Sequence, residues 1–466
     1  MSEEFQFRLS PRWRSRETTF MQWTDDQSAR VREFLDNVNL DALAEMTQDI
    51  FQQPCVVSQN FARGACAIVF EIALKNGDPI VARLSPPSIT PTFRSTSSEY
   101  KTKNYAAWLR YLRTHTDIPV PEVYDACAIS KNAIRAPYIL MQAIVGRNLL
   151  DHGTRLAIYP IPDEKRLKLF HNLASLMAQA YRCQFTAIGG LEMCPNTGQF
   201  AIVSSQNFDG SPFNSAKDYY HCVANNIEAC FHNYRTSTDP EVKAHSIFLP
   251  WIAKRMVMEL EFGTSGIDRG PFALCHEDWA FHNLILGDDY KINGIIDWEF
   301  AMALPLDALP RVPIFMMPPY SAADTSAEAE RLVQYRREFN EISRCYIEKE
   351  APNFPQPYLH SNLEDLDLDI RTTRALFLDE DRRTVALESL RWAIFFEYPT
   401  DRLGFEEILV RAVFGPKTTL REAFKIMEDD LGEGTAFLQK GDLENGEKDW
   451  LWYWENGQVT PHAKGS

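Results

Sequence analysis

The residues best suited to chemistry lie in the stretch from Leu274 to Ala301, LCHEDWAFHNLILGDDYKINGIIDWEFA. Two short apolar runs, Asn283–Leu286 and Ile292–Ile296, flank a turn-forming Gly287-Asp288-Asp289. That pattern predicts a β-hairpin. His276, Asp278 and Asn283 precede or begin its first strand, and Asp297 follows its second. A hairpin sets its two ends side by side, so a base, an amide and a second carboxylate can converge on one point. A zinc cluster is the rival reading of His276, Glu277, Asp278 and His282. No H-E-x-x-H is present, and the six-residue step from His276 to His282 suits neither common helical metal spacing.

The elements that must position this stretch begin upstream. Residues 1–50 read as an N-terminal extension, with helical spacing over Val31–Ile50. Residues 51–145 change character. Ala67–Leu74 and Ile80–Leu84 read as paired strands. Before them, Ala62-Arg63-Gly64-Ala65 is a small-residue turn, either an ordinary hairpin turn or one whose backbone N–H groups approach phosphates, at Gly64 above all. Arg83 ends the second strand, as a solvated edge residue or a cation within reach of phosphate. Glu99 opens a predicted helix over Ser98–His115, where it complements the helix dipole, and Ser95 to Ser98 offer N-caps. Pro119-Val120-Pro121 stops that helix. Tyr138–Ala143 is a buried-strand candidate and Gly146 a hinge.

Residues 146–310 turn mostly helical, with a core helix over Glu164–Phe185, a turn at Ile188–Leu191, an irregular loop over 195–215, and helices over Lys217–Tyr234 and Ile247–Phe262. Residues 311–466 read as a C-terminal helical region, with blocks around 325–349, 363–398 and 403–430, entered through a loop marked by Pro310, Pro313, Pro318 and Pro319. The acidic runs Leu363–Asp369 and Asp379–Asp381 read as solvated helix faces rather than a lid for a cationic ligand. The aromatic tail Asp449–Glu455 reads as a docking segment rather than an aromatic cage.

Composition narrows the function classes. The 466 residues are 45% hydrophobic and 24% charged, as in a globular protein with two or three substantial cores. No apolar run reaches the roughly 18–20 residues of a membrane-spanning helix, so no membrane partner is expected. Nine scattered cysteines without a C-x-x-C pair fit buried thiols in a reducing compartment. A net charge of −16 argues against a nucleic-acid surface but not against a nucleotide site. Four arginines near the N-terminus are offset by Glu3, Glu4 and Glu17, which favours the cytoplasm over the mitochondrion.

Taken together, His276-x-Asp278-x-x-x-x-Asn283, Ile295-Ile296-Asp297-Trp298-Glu299, Ile118–Pro121 after a helix, the Tyr138–Ala143 hinge strand and the Ile188–Leu191 turn resemble the aminoglycoside phosphotransferase family. The resemblance covers roughly residues 60–305 by the span of these marks. That family has an α+β, two-lobed, protein-kinase-like fold and includes choline-kinase-like small-molecule kinases and many fungal paralogues. The resemblance implies a β-rich nucleotide-binding lobe (51–145), a mostly helical lobe carrying the catalytic hairpin (146–310), and an acceptor-side cap (311–466). It implies ATP and Mg²⁺ as cofactors and a small-molecule hydroxyl as phosphate acceptor. A loose phosphoryl-transfer transition state asks the protein mainly to position groups and stabilise charge. Asp278 is then the base, Asn283 and Asp297 supply metal-ligating oxygens, and His276 braces the loop. Met141, Gln142 and Ala143 present backbone groups to the adenine. Arg83 stands where the family has its phosphate-binding Lys, with Glu99 as its partner. Arg recognises phosphate bidentately but is not interchangeable with Lys. Glu277 occupies a position that is often Gly.

Two other classes compete. A pseudokinase, binding nucleotide without turnover, is favoured by Arg83 and the Gly-poor turn and opposed by the intact Asp278, Asn283 and Asp297. A protein kinase is opposed by the lack of an A-P-E segment and by Trp298-Glu299 in place of Phe-Gly.

Overall fold

The computed structural model describes residues 5–13, 25–64, 66–87, 97–148, 161–205, 208, 211–259, 268–280, 282–306, 309, 313, 327–352, 409–410, 413–415 and 418–431. The acidic runs, the aromatic tail, the 363–398 block and all but Pro313 of the proline-marked loop lie outside them. The chain divides into two compact units. One comprises Met1–Phe185, Gly189–Pro212 and Leu274–Ala303; the other comprises Thr186–Ile188, Phe213–Ala273 and Leu304–Ser466.

The first unit is built on an antiparallel five-stranded sheet. Its strands run in the spatial order Cys55–Arg63, Ile68–Leu74, Ile80–Leu84, Tyr138–Gln142, Val123–Cys127. Ile80–Leu84 is buried along its whole length between two neighbours, with Arg83 opposite Val69 on one side and Ile139 on the other. Val31, Leu35 and Leu43 join Phe61, Phe70, Ile72, Ala82 and Leu140 in one apolar cluster, so the N-terminal helices cover one face of the sheet. The single helix expected over Val31–Ile50 is two, Asp25–Asn37 and Leu40–Phe51. The break falls at Asn39, whose side chain accepts from the Ala42 N–H at 3.1 Å as an N-cap.

The helix Ser98–His115 has the predicted bounds, capped by the Ser97 hydroxyl, which accepts from the Tyr100 N–H. The predicted hairpin is present as Leu284–Leu286 paired with Ile292–Ile295. Its first strand also pairs with Arg147–Asn148. Gly146 lies against that strand: a Cβ there would strike the Leu286 carbonyl oxygen and sit 2.7 Å from Ile285 Cγ2. Asp163–Arg182 is the expected core helix, and its Asn172 side chain accepts from the Ile292 N–H at 2.9 Å.

In the second unit, Ala216–Phe231 and Pro240–Glu259 are helices, the latter beginning earlier than predicted. Phe424, on Leu420–Leu431, stacks on Phe248 at 4.1 Å between ring centroids. Ala327–Glu350 is helical as predicted.

Candidate active site

The hairpin ends meet as the spacing implied, in a cleft of about 1400 Å³ lined by Arg83, Asp278, Asn283, Asp297 and Glu299 among others, all of the first unit. The loop before the hairpin closes on itself. Asn283 donates through Nδ2 to Asp278 Oδ2 at 2.9 Å and to the Asp278 carbonyl at 3.0 Å. The Ile296 N–H donates to the Asn283 carbonyl at 3.0 Å, tying the two hairpin ends together.

His276 is fully buried. Its Nε2–H donates to the Ile296 carbonyl at 2.9 Å and its Nδ1 accepts from the Asp278 N–H at 3.2 Å. One donor and one acceptor partner select the neutral Nε2–H imidazole. Burial pushes its pKa down to about 4, against the pull of Asp278. Its ring packs edge-on to Trp298 at 4.3 Å and against Trp279 at 5.3 Å. Glu277, between these two loop residues, has φ 68°. That left-handed conformation is the physical reason the position favours Gly.

Burial works against the Asp278 carboxylate. The hydrogen bond from His282, whose Nε2 lies 3.3 Å from Asp278 Oδ2, and the one from Asn283 more than offset it and hold Asp278 below its usual range. Asp278 therefore stays ionised, suited to orienting a hydroxyl and taking its proton late in transfer.

Asp297 is itself left-handed, with φ 69° and ψ 46°. Its N–H donates to the Tyr105 hydroxyl at 2.9 Å. Burial and the like charge of Glu299 push its pKa up to about 6, against the pull of Arg83. The helix Ser98–His115 also holds the chain just beyond. Asn104 Nδ2 donates to the Glu299 and Ala301 carbonyls at 3.0 and 3.1 Å, and Trp108 Nε1 donates to the Ala301 carbonyl at 2.7 Å.

Several expected contacts are replaced by others. Glu99 does not hold Arg83: it pairs with Lys103 at 2.9 Å on the exposed face of its helix turn. Arg83 is ion-paired to Glu299, lies 3.4 Å from Asp297 Oδ1, donates to the Ser85 hydroxyl at 3.3 Å and stacks 4.8 Å over the Tyr105 ring. Gly64 has open space around it, but its N–H donates to the Ala67 carbonyl at 3.0 Å and so is not aimed at a phosphate; Ala65 lies outside the described residues. Met141, Gln142 and Ala143 line the cleft. The Gln142 and Ala143 N–H groups are nevertheless committed to the Glu122 and Pro79 carbonyls at 2.8 and 3.1 Å, because the strand is paired on both sides.

Sequence reasoning did not single out Tyr105 or Asn104, weighed His282 only as a zinc ligand and gave Glu299 no role of its own. Asn104 carried no distinctive sign, because its helix is rich in polar residues and also buries Lys101 and Thr102. A Mg²⁺ ion fits the donors present. Among the described residues no group of three His, Cys, Asp or Glu side chains is disposed to hold a metal. Asn283 commits its Nδ2 and leaves its amide oxygen without a hydrogen bond among the described residues. That oxygen and the Asp297 carboxylate form the sparse oxygen set Mg²⁺ takes when phosphates and waters complete its shell.

Residues 61–306 match the model of the Phosphotransferase enzyme family, and the chain belongs to that family. The fold is accordingly α+β, a β-sheet N-terminal region followed by a helical remainder, as the family resemblance implied. A subtelomeric hrmA-associated cluster protein of Aspergillus fumigatus is 29% identical over 140 residues, 30% of this chain and 25% of that protein. The Arabidopsis thaliana protein named probable acyl-CoA dehydrogenase IBR3 is 25% identical over 254 residues, 53% of this chain and 26% of that protein. The chain thus spans about a quarter of the length of the curated relatives it matches. A thermostable mutant of aminoglycoside phosphotransferase APH(4)-Ia, solved with ADP and hygromycin B, is similar at 14% identity and a TM-score of 0.39, covering 81% of this chain and 100% of that one. No helix among the described residues is long and apolar enough to cross a membrane.

Proposed function

We propose that the protein is an ATP- and Mg²⁺-dependent phosphotransferase that moves the γ-phosphoryl group to a hydroxyl of a small molecule. The observation that carries this reading is the convergence of Asp278, Asn283 and Asp297 in one cleft, from the two ends of one hairpin. Asp278 orients the acceptor hydroxyl and accepts its proton as the O–P bond forms. Asn283 and Asp297 hold the metal through oxygen. Bound Mg²⁺ supplies neutralisation of the phosphate charge. His276 keeps the two hairpin ends in register. In this reading residues 51–145 serve the nucleotide, 146–310 carry the catalytic hairpin, and 311–466 lie on the acceptor side.

The test is a phosphotransfer screen over amino alcohols, aminoglycosides, sugars and amino acids, followed by Asp278→Asn. A general-base role predicts a rate loss of about 10²–10⁴ in that variant with the fold retained. Full turnover in Asp278→Asn would remove Asp278 from the mechanism. The pseudokinase reading draws on Arg83, whose guanidinium is engaged by carboxylates. It predicts nucleotide binding that does not need Mg²⁺ and no transfer to any acceptor.

A further inference from the structure

The phosphotransferase reading needs a cation on the nucleotide phosphates, and the residue in the family's lysine position is poorly placed to give it. The Arg83 side chain is 5% exposed and that of Glu299 is 1% exposed. Turning the guanidinium toward a phosphate would leave the Glu299 carboxylate buried and unpaired. Breaking such a pair strands a buried charge and is strongly unfavourable. Arg83 is better described as the counter-ion of the Glu299 carboxylate and a brace for Asp297.

A second cation lines the same cleft. Lys101 lies in the second turn of the helix Ser98–His115 and is 6% exposed. Its Nζ lies 3.5 Å from Cys66 Sγ and 5.7 Å from the centroid of the Phe300 ring. Among the described residues no carboxylate lies within 4.0 Å of it. Burial, with the nearby Glu299 charge, pushes the Cys66 thiol up to about 11, so this neighbour is an uncharged, weak acceptor. A buried ammonium carries three donors and needs an anion or strong acceptors to offset its desolvation. Here it faces a cleft, below the turn that joins the first two strands.

We infer that Lys101, rather than Arg83, is the residue that binds the nucleotide phosphates, the cation having moved from the third strand to the adjoining helix. The inference rests on the reading of the cleft as a nucleotide site. It gives the two cations separate work: Arg83 holds the Asp297 and Glu299 carboxylates, and Lys101 neutralises the ligand. A phosphate oxygen at Nζ would supply the anionic partner that a thiol and a ring face cannot.

Calorimetric titration of the full chain with MgATP, for wild type, Lys101→Met and Lys101→Arg, tests this. Methionine keeps most of the stem volume and removes the charge. The expected result is an affinity loss of about tenfold or more in Lys101→Met, with Lys101→Arg close to wild type because the charge is restored. Equal affinity in wild type and Lys101→Met would overturn the assignment. An unperturbed wild type provides a check independent of how the variants fold. Acylation of Lys101 by an amine-reactive reagent, followed by peptide mass spectrometry, should be slowed by MgATP and not by Mg²⁺ alone. An unchanged acylation rate at saturating MgATP would also overturn it. If wild type binds no MgATP at all, the nucleotide reading itself fails and the inference falls with it.

Discussion

At the scale of single residues, the site depends on two unusual backbone positions and one neutral imidazole. Asp297 is held in a left-handed conformation whose N–H is taken by the Tyr105 hydroxyl. Tyr105→Phe removes that acceptor, and a lost buried hydrogen bond costs about 1–3 kcal/mol. The expected outcome is a lower melting temperature together with weaker Mg²⁺-dependent nucleotide binding, because Asp297 loses its orientation. An unchanged Mg²⁺ requirement with only the stability loss would make Tyr105 a packing residue. His276 gives a pH prediction. Its folded pKa of about 4 lies below the ordinary histidine value of 6.5, so the unfolded chain binds a proton that the folded chain refuses. That contribution is fully present above about pH 6.5 and is lost as pH falls toward about 4, at roughly 2 kcal/mol between about pH 7 and pH 5. Denaturant unfolding of wild type and His276→Asn across that interval measures it. The variant should lack this part of the slope.

At the scale of elements, the sheet and the helix Ser98–His115 do most of the positioning. The helix reaches the post-hairpin segment through Asn104, Tyr105 and Trp108, so Asp297 is set by an element nearly two hundred residues earlier. Glu71 is a second long-range anchor. It is fully buried and accepts the N–H groups of Arg8 at 2.7 Å, Leu9 at 3.1 Å and Ser10 at 2.5 Å. Glu71→Ala strands three donors and should lower stability by roughly 2–4 kcal/mol, read by chemical unfolding. Gly146 tests the packing of the hairpin directly. Because a Cβ there meets the backbone of Leu286, Gly146→Ala should cost about 1–3 kcal/mol. The hairpin was legible from sequence because its spacing is covalent: turn residues, two apolar runs and polar ends all lie within one short stretch. Arg83 shows where that stops. Its strand and position could be read, but its partners could not. Glu99 and Glu299 are both glutamates, and only the folded path of the chain decides which one faces the guanidinium.

At the scale of the whole molecule, family membership follows from the segment 61–306, close to the span over which the sequence marks were recognised. The acceptor was not legible, because acceptor pockets are shaped by side chains gathered from distant segments rather than by a local motif. The Gln142 and Ala143 N–H groups illustrate the same limit. Their strand was predicted correctly, but that it is paired along both edges, and so uses those donors internally, is a property of the assembled sheet. A net charge of −16 puts a further demand on any polyphosphate ligand: local cations must offset a repulsive whole-molecule field. The metal is therefore central to the account. Its most direct test is titration of the full chain with ATP in Mg²⁺ and again in EDTA, for wild type and Asp297→Asn. The account predicts binding that requires Mg²⁺ and weakens at least about tenfold in Asp297→Asn. Binding of equal strength in EDTA, or an unaffected Asp297→Asn variant, would contradict it.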